Sequence, residues 1–113
     1  MAKGDIYRIY DETVSDDATV AIQPAAGKEC QIENIYWGTT AGTDASKIEI
    51  YRYENSTAYK IADYGGWTAL GYAPNSIVVR FYVTNASYLI VKNVSGGEMT
   101  FVGADGVERK PAT

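Results

Sequence analysis

An all-β fold, an antiparallel β-sandwich of jelly-roll type with about eight strands, is what three features of this sequence predict. The chain has 113 residues, room for one domain. Ten of them are tyrosine, and with Val, Ile and Thr they form short strand-forming runs. Those runs are separated by Gly, Asn, Asp and Ser clusters, and no stretch of twelve residues carries a helical period.

The runs follow in order. Asp5 to Thr13 (DIYRIYDET) comes first, then a polar stretch, Val14 to Asp17. Ala18 to Gln23 places Val20 and Ile22 on one face, and Pro24 to Lys28 ends it, because proline donates nothing to a ladder. In Glu29 to Gly38, Cys30 and Ile32 share one face while Ile35 and Trp37 fall on the other. Either both faces are covered or a bulge near Glu33-Asn34 shifts the register. Thr39 to Ala45 reads as a loop. Lys47 to Glu54 and Ala58 to Tyr64 form a hairpin around Glu54-Asn55-Ser56-Thr57. Trp67 to Pro74 is punctuated by glycine and has no period. Ser76 to Thr84 alternates most cleanly, and Ser87 to Asn93 pairs back on it. Glu98 to Gly103 follows, then a turn at Ala104-Asp105-Gly106, then a short end, Val107 to Lys110. The expected core is Ile77, Val79, Phe81 and Val83 with Ile48, Ile50, Leu89, Val91 and Phe101. By domain, residues 1–17 are an N-terminal arm or first strand, 18–110 the sandwich and 111–113 a tail.

Charge and composition narrow the function. The net charge of −4 supplies no basic field for nucleic acid, and no apolar run reaches the ~20 residues of a membrane helix. Histidine is absent, which removes the commonest general base and metal ligand. The acidic group Asp11, Glu12, Asp16 and Asp17 lacks calcium-loop spacing and reads as a solvated loop. No catalytic, cofactor or metal residue is expected, and the chain reads as a non-enzyme. The single cysteine, Cys30, reads as a buried small hydrophobe. No signal-peptide pattern follows Lys3, so synthesis in a host cytoplasm is expected. The three Asn-x-Ser/Thr triplets then read as turn chemistry.

Two aromatic groups are candidate contacts. Tyr51, Tyr53 and Tyr82 lie opposite the aliphatic faces of their strands and suggest a covered surface. Ile6, Tyr7, Ile9 and Tyr10 make the N-terminal run a second interface candidate, able to add a strand to a sheet edge. Tyr64, Trp67 and Tyr72 could stack on a sugar or cap the sandwich.

The segments ECQIENIYWG, KIEIYRYENSTAYKI and VTNASYLIVKNVSGGEMTFVGADGVERK resemble small jelly-roll virion proteins of tailed bacteriophages, of the capsid-decoration and head-fibre type. The resemblance runs from about Ala18 to Lys110 and is one of style and strand order. It implies no catalytic residues. It implies a homo-oligomer, a trimer first, attached to a major capsid or other virion protein. The alternative reading is a carbohydrate-binding module using the aromatics around Trp67.

Overall fold

The computed structural model describes residues 6–38, 47–64 and 75–110. They form eight strands: β1 (Ile6–Val14), β2 (Thr19–Ile22), β3 (Glu29–Gly38), β4 (Ile48–Glu54), β5 (Thr57–Tyr64), β6 (Asn75–Thr84), β7 (Tyr88–Asn93) and β8 (Met99–Lys110). Trp67 and Tyr72 lie outside the described residues.

The pairing is nested. β4 pairs with β5, β3 with β6, β2 with β7 and β1 with β8, all antiparallel. The chain is thus one long hairpin rolled on itself. Two further pairings, β3 with β8 and β4 with β7, join these ribbons edge to edge. The result is two four-stranded sheets, β1-β8-β3-β6 and β2-β7-β4-β5. This is the jelly roll, two Greek keys wrapped into a sandwich.

Local chemistry explains the tightest turn. Asn55 (φ 50°) and Ser56 (φ 64°) both adopt left-handed backbone, as a two-residue hairpin with the twist of its strands requires. In β3 the register shifts between Ile32 and Asn34. The bulge returns Ile35 and Trp37 to the face of Cys30 and Ile32, and all four are buried. Fourteen of the sixteen core residues have aliphatic, aromatic or alanine side chains, Cys30 and Met99 being the other two, and both sheets contribute to the cluster.

Four expectations change. Ser87 to Asn93 does not pair back on Ser76 to Thr84, because β6 pairs with β3 in one sheet and β7 lies between β2 and β4 in the other. Ala104-Asp105-Gly106 is not a turn, because β8 runs unbroken for twelve residues. Gly106 permits this, since a Cβ there would stand 2.1 Å from the Gln31 carbonyl oxygen. Only a glycine lets β3 approach so closely. Phe101 is not in the core. Val102 and Ala104 take the inner face of β8, and Phe101 lies against Tyr10 and Tyr36 outside. Finally, Ile77, Val79 and Phe81 face the core but are only partly buried, while Val83 is fully buried. β6 is an edge strand, so its side chains are flanked on one side only. Ile48, Ile50, Leu89 and Val91 are fully buried, as expected.

Asn93, fully buried, knots the two ends of the roll together. Its Nδ2 donates to the carbonyls of Val14 (2.9 Å), Ser15 (3.2 Å) and Gly97 (2.9 Å), and its Oδ1 accepts the Ser95 N–H (2.9 Å). Two amide hydrogens serve three acceptors, so one is shared. Its backbone also exchanges bonds with Asp17 and Ala18.

Two substitutions test this framework by denaturant unfolding. Asn93→Ala removes the donor of the buried Val14 carbonyl and loosens the part-buried contacts to Ser15 and Gly97, and should cost about 3 kcal/mol. Gly106→Ala must push β3 backbone aside and should cost about 3 kcal/mol or prevent folding.

Candidate functional site: the outer face of the first sheet

Four strands in register turn one set of side chains outward from the β1-β8-β3-β6 sheet. The pairings align them in rows across the strands. The first is Ile6, Val107, Gln31 and Tyr82; the second Arg8, Asp105, Asn34 and Val78; the third Tyr10, Gly103, Tyr36 and Ser76. Beyond them Glu12 pairs with Phe101, itself opposite Gly38. Period-two alternation puts these residues outside because Tyr7, Ile32, Ile35, Val102 and Ala104 are inside.

An aromatic trio occupies one end. Tyr10, Tyr36 and Phe101 have ring centroids 6.2–6.3 Å apart, and Tyr10 and Phe101 are nearly parallel at 14°. The trio exists because position 103 is glycine. A Cβ there would lie 2.4 Å from the Tyr36 ring, so the bare backbone of β8 is what lets that ring lie across it. Beside the rings sits a polar group. Arg8 Nε donates to Asp105 Oδ1 (3.0 Å), and the Tyr36 hydroxyl donates to the same oxygen (3.1 Å). Burial, then the Asp105 charge and its hydrogen bond, push the Tyr36 hydroxyl above its ordinary range, with Arg8 opposing.

The residues singled out from sequence do not share one surface. Ile6, Tyr10 and Tyr82 lie on this face, all exposed, and the Tyr82 hydroxyl is hydrogen-bonded to Glu29. Tyr51 and Tyr53 lie on the outer face of the other sheet. There Tyr51 donates to Glu49 (2.5 Å) and Tyr53 packs on Tyr88 with centroids 4.9 Å apart. Tyr7 and Ile9 point into the sandwich, Tyr7 as part of the core and Ile9 against it. Tyr64 is half-buried with its ring 5.8 Å from that of Trp37, beside a shallow depression lined by Lys47, Glu49, Asp63 and Val94. Sequence reasoning missed Arg8, Tyr36 and Asp105 and misplaced Phe101. The available signals were Tyr36 alternating against Ile35 and Trp37, and a glycine, Gly103, within an apolar run.

No protein-family model matches the chain, and no curated protein matches it. Among solved structures, a chain in the structure of infectious bursal disease virus, Gx strain, aligns over 100% of this chain and 33% of its own, at 11% identity and a TM-score of 0.39. This chain therefore spans about a third of that viral chain. The neighbour is viral, but a likeness at this level carries no functional weight.

Burial of Tyr7, aided by the nearby Cys30 thiol, pushes its hydroxyl from 10.0 up to about 12. Its contribution to stability is complete below pH 10 and drains away as pH rises through about 12, because the unfolded chain ionises first. Tyr7→Phe should flatten that alkaline loss while changing neutral stability by less than about 1 kcal/mol, read from melts between pH 7 and 12.

Proposed function

We propose that the chain is a non-enzymatic structural module of a virus particle, decorating or stabilising the capsid of a tailed bacteriophage or forming part of a head fibre. The observation that carries this reading is apolar exposure on more than one side of the roll. Val78 is 87% and Ile6 74% exposed on the first sheet, and Tyr59 and Ile61 stand out on β5, the edge of the second. Such side chains suit a module surrounded by other protein in an assembly. The sequence resemblance to decoration and head-fibre proteins supports the same reading. So does the jelly-roll strand order, which viral capsid domains use.

The assembly proposed is a symmetric homo-oligomer, a trimer first, seated on a major capsid or other virion protein. β1 pairs along β8 and sends Tyr7 and Val14 into the core, so contact through outward residues such as Ile6 is preferred to release of this strand as an arm.

Light scattering should give three times the 12.3 kDa chain mass, and purified particles of the virus should contain the chain in symmetric copy number. A monomer absent from particles would overturn the proposal. Val78→Asp, at a solvent-exposed site, should shift stability by no more than about 0.5 kcal/mol yet weaken particle binding at least tenfold in co-sedimentation.

A further inference from the structure

We infer that Tyr10, Tyr36 and Phe101, with Arg8 and Asp105 beside them, form a binding site for the pyranose rings of an extended polysaccharide. The inference stands independently of the virion reading.

The first support is the shape and composition of the surface. The Tyr36 ring lies over the bare backbone of Gly103. Tyr10 and Phe101 enlarge that cover into a three-ring surface, and Tyr10 keeps 49% of its area in solvent. Aromatic faces pair well with the C–H faces of pyranose rings, which are apolar on the ring face and polar at the rim. The rings sit on the face of a sheet, not in a cleft, so the surface suits a chain lying across it better than a small enclosed metabolite.

The second support is the polar group. Arg8 Nε and the Tyr36 hydroxyl both converge on Asp105 Oδ1. That contact fixes the carboxylate and the guanidinium side by side, with Arg8 66% and Asp105 32% exposed. Oδ2 and the two terminal amino groups of Arg8 are then an acceptor beside donors, the pattern that adjacent sugar hydroxyls satisfy. As a surface ion pair the Arg8–Asp105 contact adds little stability. Its orientation toward the rings is the feature a sugar would use.

The third support is spacing. The trio lies four residues along β1 from Ile6, about 13 Å away at the strand rise. A bound sugar there leaves the Ile6 and Tyr82 row free for protein contact.

The test is binding to an array of oligosaccharides of glucose, galactose, mannose and N-acetylglucosamine, followed by titration calorimetry on the best hit and on its monosaccharide. The expected result is an oligosaccharide bound at least tenfold more tightly than its monosaccharide. Tyr10→Ala and Arg8→Ala should each weaken binding at least tenfold at an unchanged melting temperature, and Tyr10→Phe should retain it. If either alanine variant melts early, amide shifts on titrating the native chain decide. Perturbations centred on Gly103, Asp105 and Tyr36 uphold the site, and perturbations centred elsewhere overturn it. No binding to any sugar on the array, or binding indifferent to Tyr10→Ala, also overturns it.

Discussion

The insertion of β8 between β1 and β3 is the constraint on which the molecule depends. β8 is the last strand, yet it is central in its sheet and pairs along nearly its whole length on both sides. Neither β1 nor β3 has its full set of ladder bonds until the end of the chain arrives. That pairing spans almost the entire sequence, so its loop-closure cost is high and the reward comes only at completion. Two glycines shape the insertion. Gly106 admits the backbone of β3, and Gly103 admits the ring of Tyr36. A side chain at Gly106 would force the central strand away from β3, and one at Gly103 would displace the Tyr36 ring.

Asn93 performs the matching task at the end of the roll. β1 and β2 belong to different sheets, as do β7 and β8, so both connections cross from one layer to the other. Backbone carbonyls at such a crossing need partners outside the ladders. One amide side chain collects Val14, Ser15 and Gly97 and receives Ser95 in return. The same insertion of β8 creates the outer face, since β1, β8 and β3 must be neighbours before Tyr10, Phe101 and Tyr36 can meet.

The proposed virion contact and the proposed sugar-binding face share one scaffold and meet in the row of Arg8, Asp105, Asn34 and Val78. A jelly roll has two broad outer faces, and neither is needed for its core. Residues there change without unfolding the domain, so an assembly contact and a ligand surface can coexist on it. Here apolar exposure reaches both the first sheet and the β5 edge, whereas the aromatic trio with its ion pair is confined to one end of one face.

The sequence by itself determined which segments are extended and which face of most strands is apolar. Alternation is a local property, and turns such as Asn55-Ser56 announce themselves by residue type. The break in apolar parity between Ile32 and Ile35 was legible for the same reason, but it allowed either a bulge or two covered faces, and the register of β3 against β6 and β8 decides for the bulge. What only the tertiary structure decided were the partners. Asp105 and Gly106 have turn-forming chemistry, but the space left by β3 and the Arg8 side chain on β1 hold them in a strand. Phe101 and Val102 are both apolar, and only the register against β1 and β3 shows which of them faces the core. The candidate site joins residues 8, 10, 36, 101 and 105, and no local pattern links positions so far apart. Their meeting follows from the order in which the strands roll up, a property of the whole chain.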